Sequence, residues 1–225
     1  MYIYLFTIIY VSMKIYIFIL IIFCVSSAQE FTIARVQYGG GGDWYCDPSS
    51  IPNLLEYLRS NTHMSKASKE VRIKLTDSNA NQFPYLYITG HGNIRFSNNE
   101  IIALRSILSN GGFLHADDNY GMDKSFRREM NRVFPEKDWV ELSFDHEIFH
   151  SYYDFPNGLP KVHEHEGKPP QGLGLFNDER LIIFYTYESD LGDGWEDIDV
   201  HKDPQYIREA ALKMGINIIW LALTQ

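Results

Sequence analysis

Apolar segments of strand length alternate along this chain with segments whose apolar residues recur every three to four positions. The first kind predicts strands and the second kind predicts helices. The predicted strands are Thr32–Gln37, Val71–Leu75, Pro84–Thr89, Phe113–Ala116, Trp139–Leu142 and Leu181–Tyr187. This alternation is typical of an α/β fold, and it predicts a doubly wound, mostly parallel sheet with helices on both faces.

Capping residues mark where the helices begin. A helix is predicted from near Ser50, and Ser97 with Glu100 forms a capping box that opens the next one. Asp123 is predicted to cap a third helix through its carboxylate. The apolar C-terminal segment is predicted to be one helix that continues past Gly215, although a strand is the alternative.

Residues 1–28 carry one charge, Lys14, ahead of a long apolar run and several small residues. This layout predicts a secretory signal that is cleaved after Ala28. An uncleaved membrane anchor is the alternative, because the apolar run is long enough to span a bilayer. The remaining residues, 29–225, are predicted to form a single α/β domain that is exported to the periplasm or the extracellular space.

The chain is acidic, with 20 lysine and arginine residues against 29 aspartate and glutamate residues and a formal net charge of −9. This charge disfavours nucleic acid and anionic lipid as partners. A membrane contact is therefore expected only through the N-terminal segment, if that segment is uncleaved. Of the two cysteines, Cys24 lies in the predicted signal, so Cys46 is left without a disulfide partner.

Glycines and polar residues follow the predicted strands at their carboxyl ends. Because such ends meet at one edge of a parallel sheet, we expect a ligand-binding crevice there. The most informative segment is Tyr38–Tyr45, whose four glycines predict a sharp bend or a close approach of the backbone to another group. The residues predicted to bind a ligand are Gly40, Gly41, Gly42, Asp43, Trp44, Tyr45, Tyr120, Asp193 and Trp195.

Carboxylates and imidazoles in the same loops are candidates for acid–base chemistry. Asp117 or Asp118 is predicted to act as a base, with His91 or His146 as its partner. The pattern leaves two alternatives open, because the aspartate pair also suits a helix-entry turn and His146 also suits a plain loop. A divalent metal held by carboxylates and imidazoles would suit the same residues, but the sequence does not identify a metal.

Two further polar segments have milder interpretations. His163-Glu164-His165 has the residue types of a metal site, but its position between prolines favours a solvated loop. Glu188–Glu196 holds four carboxylates without the spacing of a calcium-binding loop, which favours a polar turn. The aromatic residues of the long segment 144–174 predict an ordered cover over the crevice. No GxSxG, Walker-type or HExxH motif is present.

Four segments taken together resemble those of one known family. They are Arg35–Tyr45, Tyr85–Gly92, Gly111–Asp118 and Asp190–Glu196. In this combination the chain resembles the domain-of-unknown-function family four-one-five-nine, a bacterial exported or membrane-associated domain. The resemblance extends over essentially the whole chain after the predicted signal, and it brings no established reaction.

The resemblance also carries an expectation about fold and chemistry. That family is similar in fold to class I glutamine amidotransferase-like, flavodoxin-like domains, in which a nucleophilic cysteine occupies the turn that corresponds here to Ala116–Asn119. This chain has carboxylates at that turn, and Cys46 lies in a different loop. Cysteine-based amide hydrolysis is therefore disfavoured, because a carboxylate does not replace a thiolate as the attacking group.

The sequence thus predicts an exported bacterial domain that binds a small polar ligand, such as a glycan or a peptidoglycan fragment, in a pocket at the strand ends. Carboxylate- or metal-assisted hydrolysis of that ligand is the catalytic version of this hypothesis. The alternative is a non-catalytic envelope scaffold that keeps an enzyme-like fold for assembly with partners.

Overall fold

The structure, a computed structural model, describes residues 30–64, 67 and 69–225. Residues Thr32–Gln225 form one compact unit. Its strands are β1 (Ala34–Val36), β2 (Val71–Ile73), β3 (Tyr85–Ile88), β4 (Phe113–Asp117), β5 (Val140–Glu141), β6 (Gln171–Asn177) and β7 (Arg180–Tyr187). Its α-helices are α1 (Ser50–Asn61), α2 (Asn98–Ser109), α3 (Asp123–Val133), α4 (Leu191–Trp195), α5 (Ile198–His201) and α6 (Gln205–Thr224). The predicted signal, its cleavage site and the alternative anchor lie outside the described residues.

The strands form one sheet in the order β2-β1-β3-β4-β7-β6-β5. Neighbouring strands from β2 to β7 pair in parallel, whereas β6 runs antiparallel to both β7 and β5. The prediction of an α/β fold with a mostly parallel sheet is confirmed, and the strand order is consistent with a flavodoxin-like fold. The carboxyl ends of β1, β3, β4 and β7 therefore lie at the same edge of the sheet.

Helices cover both faces of this sheet. On one face, α2 and α3 pack together, and Phe126 joins Leu114 in the apolar core. On the other face, α1, α4 and α6 pack together, and the Trp195 ring of α4 lies 5.8 Å from the His115 ring of β4. Leu114 and His115 are consecutive strand residues, so their side chains point to opposite faces.

The helix starts agree with the sequence at one place and differ at another. The predicted capping box is present, since Ser97 Oγ accepts the Glu100 N–H and the Glu100 carboxylate accepts the Ser97 N–H. Asp123, however, follows the N-cap residue Met122 and makes no capping bond. Its carboxylate lies 2.6 Å from Nε of Arg127 instead. The Asp123 carboxylate therefore pairs with Arg127, one turn later, and does not cap the backbone N–H groups at the start of α3.

The helix α6 runs through Gly215, as predicted. A Cβ at Gly215 would lie 2.5 Å from Cδ1 of Leu54 in α1, so the glycine allows the two helices to approach closely. Within the part of the chain that the structure describes, no helix combines the length and the apolar character needed to cross a membrane.

Tyr152 and Tyr153 pack against α6, and Phe149 packs against Phe184 of β7, so these aromatic residues do not cover the crevice as predicted. The later part of the same segment does line a cleft at the carboxyl edge of the sheet, through His165, Glu166 and Lys168. Asn217 of α6 is fully buried, and it accepts a hydrogen bond from Tyr153 N and donates one to Tyr153 O, both at 2.8 Å. The Tyr152 ring lies 4.9 Å from the Trp220 ring. The buried side chain of Asn217 thus fixes the backbone at Tyr153 to α6.

The strand β6 was not predicted, because it falls at the end of the segment that the sequence assigns to a loop. Its glycines hide the usual strand pattern. A Cβ at Gly172 would lie 3.0 Å from the rings of Phe149 and Phe184, so those aromatic rings occupy the space of a side chain.

A row of large side chains crosses the face of the sheet under α4. Arg35, Tyr87, His115 and Phe184 are register partners on β1, β3, β4 and β7. His115 is fully buried, and its Nε2 lies 3.2 Å from Oγ1 of Thr186. Burial lowers the pKa of His115 to about 3. The row forms the surface of the sheet beneath the loops at its carboxyl edge.

We expect the buried His115 to make the protein acid-sensitive. Its pKa is lowered on folding, so its contribution to stability is complete above the unfolded value near 6.5 and is lost as the pH falls toward about 3. His115→Gln keeps a donor for Thr186 but does not titrate. Its free energy of unfolding, measured by urea denaturation, should fall less steeply below pH 6.5, by about 1.4 kcal/mol per pH unit. The exposed control His63→Gln should follow the wild type, and equal acid slopes in His115→Gln and the wild type would contradict the account.

Candidate functional site

Four loops meet at the carboxyl edge of the sheet, those that follow β1, β3, β4 and β7. The β1 and β3 loops are joined by backbone hydrogen bonds, from Gly42 N to Asn93 O at 3.0 Å and from Arg95 N to Gly39 O at 2.8 Å. The β3 and β4 loops are joined through side chains, where Oγ1 of Thr89 donates to Asn119 at 2.6 Å. The β1, β3 and β4 loops therefore lie side by side, but the cleft described below is lined from β4, β7 and the residues that follow them, and from the 159–168 segment.

The glycine run packs against the β3 loop. At Gly40, φ is +108° and an added Cβ would lie 2.7 Å from Arg95 N, and at Gly42 a Cβ would lie 2.8 Å from His91 O. Gly41, with φ of +93°, has no atom within 4 Å of the same position. Gly40 and Gly42 thus serve the close approach of two loops, and Gly41 is open to solvent.

Asp43 and His91 form a pair at the outer side of these loops. One Asp43 oxygen accepts the His91 backbone N–H, and the other lies 3.2 Å from Nδ1 of the imidazole. The neighbouring Trp44 is half-buried and Tyr45 is exposed, with their rings 5.5 Å apart in an edge-to-face arrangement. The structure therefore brings these four predicted residues together.

A buried arginine holds the β1 loop from beneath. Arg35 donates to the carbonyl oxygens of Cys46 at 2.7 Å and Asp47 at 3.1 Å, and its Nε lies 2.6 Å from the Glu70 carboxylate. The planar guanidinium can bind several acceptors at once, so one side chain fixes the loop to the sheet. The Asp47 carboxylate is buried as a result, and it accepts a hydrogen bond from Asn119 at 3.4 Å.

Asp117 is fully buried, and donors from β7 and α4 bind both of its oxygens. Oγ1 of Thr186 donates at 2.5 Å, and the backbone N–H groups of Leu191 and Gly192 donate at 3.2 Å and 2.6 Å. Burial and the charge of Asp190 raise the pKa of Asp117 to about 8. These contacts anchor the beginning of α4 on the sheet.

Asp118 lies in the wall of a cleft of about 320 Å³. It accepts hydrogen bonds from the Tyr185 hydroxyl and from Glu188 N, both at 2.9 Å. Its Oδ2 lies 3.9 Å from Nδ1 of His165. The predicted residue Tyr120 stands at the rim with 63% of its surface exposed. The cleft is lined by Asp118, Tyr120, Gly121, Asp123, Lys124, His165, Glu166, Lys168, Tyr187 and Glu188.

The two histidines of the 159–168 segment lie on the carboxylates that follow β7. Nε2 of His165 is 2.8 Å from the Asp190 carboxylate, and Nδ1 of His163 is 2.7 Å from the Asp193 carboxylate. The side chain of His165 is only 7% exposed, and all four carboxylates of Glu188–Glu196 are buried. The predictions of a solvated loop and of a polar turn are therefore wrong, because the two segments bury each other.

The electrostatics of this cluster favour bound protons. The hydrogen bond to Asp190 raises the pKa of His163 to about 9. Burial opposes the charge on His165, but the contacts with Asp118 and Asp190 outweigh it and raise its pKa to about 10. Burial, followed by the charges of Asp190 and Asp47, raises the pKa of Asp193 to about 9. The cluster therefore carries an excess of negative charge that protons or a cation must balance.

Three side chains in this cluster have the geometry of a cation site. His163, Asp193 and His201 each present a donor atom within 4.8 Å of the others. Nε2 of His201 lies 3.4 Å from Asp193 and 3.5 Å from Glu196. Nε2 of His163 lies 3.2 Å from Asp203, and a carboxylate in this position commonly orients an imidazole that binds a metal through its other nitrogen.

Unpartnered polar atoms surround this set. Among the described residues, Oδ1 of Asp190, Nδ1 of His165 and Oδ2 of Asp203 are buried without a hydrogen-bond partner. Buried polar atoms are rarely left unpaired unless a water, an ion or a ligand takes that place. The cluster therefore contains nitrogen and oxygen atoms that are available to bind a water, an ion or a ligand.

Two predicted residues lie apart from the crevice groups. His146 caps the turn at Glu147–Phe149 by accepting the Ile148 N–H through Nδ1, and its ring lies 6.1 Å from that of Phe176. Trp195 is fully buried and donates from Nε1 to the Ala211 carbonyl at 2.8 Å. Its ring packs against His115 of the sheet and is not exposed to a ligand.

Sequence reasoning did not select most of the cluster. It considered His163, His165, Asp190 and Glu196 but set them aside, and it did not consider Asp47, His201 and Asp203 as site residues. The alternating histidines at 163 and 165 and the three-residue spacing of Asp190, Asp193 and Glu196 were usable signals. His201 carried none, since it lies among unrelated charged residues.

Comparison with known proteins agrees with the resemblance drawn from the four sequence segments. No curated protein matches the chain. The family model described as Domain of unknown function (DUF4159) matches residues 32–223, which include every residue of the site. The chain belongs to this family.

Proposed function

We propose that this protein is an exported, divalent-cation-dependent hydrolase that acts on a small polar ligand of glycan type. The observation that carries the proposal is the set His163, Asp193 and His201, whose donor atoms lie within 4.8 Å of one another beside unpartnered buried oxygens and nitrogens. Two imidazoles and a carboxylate are typical ligands of catalytic zinc, which keeps a coordination position open for water or substrate.

The distances support a cation at this point. Donor atoms bound to tetrahedral zinc at about 2.1 Å lie roughly 3.4 Å from one another. The Asp193 oxygens lie 2.7 Å from His163 and 3.4 Å from His201. Small side-chain rotations would therefore suffice to bind an ion. A bound divalent cation would also replace the protons that Asp193 and His163 share, and so relieve the excess negative charge.

The neighbouring residues suit proton transfer between the cation site and the cleft. A bound cation would lower the pKa of a water molecule and make it a nucleophile near neutral pH. His165 contacts Asp190 on the cluster side and lies near Asp118 in the cleft wall. We therefore assign His165, whose raised pKa keeps its ring protonated near neutral pH, the role of proton donor toward the ligand, with Asp118 and Asp190 orienting its ring.

The cleft supports a small, hydroxyl-rich ligand. Its volume of about 320 Å³ lies at the low end for small-molecule sites. Its carboxylates can accept hydrogen bonds from ligand hydroxyls, and Lys124 and Lys168 can donate hydrogen bonds to ring or carboxylate oxygens of a ligand. The exposed ring of Tyr120 at the rim offers an apolar face of the kind on which sugar rings stack.

The proposal of export rests on the sequence alone. Lys14 and the apolar run predict a signal removed after Ala28, and the domain of residues 29–225 would then work in the periplasm or outside the cell. A glycan of the cell envelope is a ligand class available there. The net charge of −9 supports a neutral or cationic partner over nucleic acid.

We expect Zn²⁺ or Mn²⁺ to stabilise the Cys46→Ser chain, in which no thiol at position 46 competes for the cation, against heat, and a chelator to reverse the effect. At a concentration of about 100 times the dissociation constant, the cation should add about 2.7 kcal/mol of stability. Asp193→Asn and His201→Ala should lose most of the shift in melting temperature, because each removes a ligand. The control His63→Ala removes an exposed imidazole outside the cluster and should keep it. An equal shift in all variants would place the cation elsewhere.

We expect metal-loaded protein to hydrolyse at least one member of a panel of chromogenic glycosides and peptidoglycan fragments. His165→Gln should lower kcat by about 100-fold or more while it preserves the metal-dependent thermal shift. Tyr120→Ala should raise KM, whereas Tyr45→Ala, which removes an equally exposed ring outside the cleft, should not. A stable metal complex that turns over nothing would favour the alternative of a non-catalytic envelope scaffold.

A further inference from the structure

A second group of metal-binding side chains lies in the β1 and β3 loops. Asp43, Cys46 and His91 each present a donor atom within 4.8 Å of the other two. None of the three belongs to the set of His163, Asp193 and His201. The group combines a sulfur, a nitrogen and an oxygen, which is a donor combination that suits zinc and similar thiophilic divalent ions.

The backbone holds these three side chains in place before any ligand binds. Cys46 N donates to Asp43 O at 2.8 Å, so the two residues belong to one tight turn. Asp43 N donates to His91 O at 3.4 Å, and Gly42 N donates to Asn93 O at 3.0 Å, which fixes the two loops side by side. Arg35 holds the Cys46 carbonyl from beneath. The ordering of the ligands is thus largely complete in the folded protein, which favours binding.

The carboxylates around the thiol complete the arrangement. Both oxygens of Asp43 face His91, one at the backbone N–H and one at Nδ1, so the carboxylate orients the ring. The Cys46 thiol donates to Oδ2 of Asp47 at 3.2 Å. Asp47 therefore orients the thiol of Cys46.

We propose that Asp43, Cys46 and His91 form a second cation site, selective for Zn²⁺ or a chemically similar divalent ion. Binding breaks the S–H bond, forms a metal–sulfur bond and releases the thiol proton to solvent, with no change in oxidation state. The His91 side chain is 51% exposed, so a coordination position remains open to water or to a donor atom of an external ligand. The site does not depend on the function proposed for the His163 cluster.

Cobalt(II) is the probe that tests this site, because a thiolate bound to Co²⁺ absorbs in the near ultraviolet and nitrogen or oxygen ligands do not. The titration uses the full chain with Cys24→Ser, which leaves Cys46 as the single thiol. We expect a thiolate-to-cobalt absorption band that Cys46→Ser abolishes. His91→Ala and Asp43→Asn should weaken cobalt binding by about tenfold or more, and Asp47→Asn should weaken it by about tenfold.

The second cluster supplies the matched control. His201→Ala should leave the thiolate band unchanged, because His201 belongs only to the other set. Far-ultraviolet circular dichroism establishes that each variant is folded. A folded protein without the band would overturn the proposal, and so would a band of equal affinity in His91→Ala and Asp43→Asn, which would mean that the thiol binds cobalt alone. Failure of the His163 cluster to bind metal would leave this result unaffected.

Discussion

The structure depends on how buried carboxylates are balanced at the carboxyl edge of the sheet. Parallel strands bring Asp47, Asp117, Asp118, Asp190 and Asp193 close together, and burying that many charges is costly unless each meets a donor or a counter-charge. Backbone and hydroxyl donors satisfy Asp117 and Asp118. Asp47 accepts hydrogen bonds from Asn119 and the Cys46 thiol. Asp190 and Asp193 depend on histidines from the distant segment 159–168 and from α5.

This balance separates structural from functional carboxylates. Asp117 is the last residue of β4, and its oxygens bind the first amides of α4. It fixes the helix that presents Asp193. Asp193 contacts His163, and Asp190 contacts His165. Oδ1 of Asp190 has no hydrogen-bond partner among the described residues. The chemistry we propose uses this second group and leaves the first to hold the scaffold.

Local signals in the sequence predicted much of the fold. The apolar runs identified the main strands, the Ser97–Glu100 box identified a helix start, and the glycines identified a close approach of two loops, because each of these depends on neighbouring residues. The strand β6 was missed because Gly172 makes room for rings from distant elements. The site was predicted only in part. Asp118 and Asp193 follow strands, whereas His163, His165 and His201 reach them through long-range packing, which the alternation of histidines at 163 and 165 does not reveal by itself.

We propose above that His163, Asp193 and His201 hold one divalent cation. Zinc-edge X-ray absorption of the Cys46→Ser chain, loaded with a single equivalent of Zn²⁺, tests it most directly, because the substitution removes the competing thiol site. We expect the zinc to be surrounded by nitrogen and oxygen donors, with the multiple-scattering pattern of two imidazoles in this chain and of one imidazole in His201→Ala. A spectrum of hydrated zinc, or one that His201→Ala does not change, would contradict it.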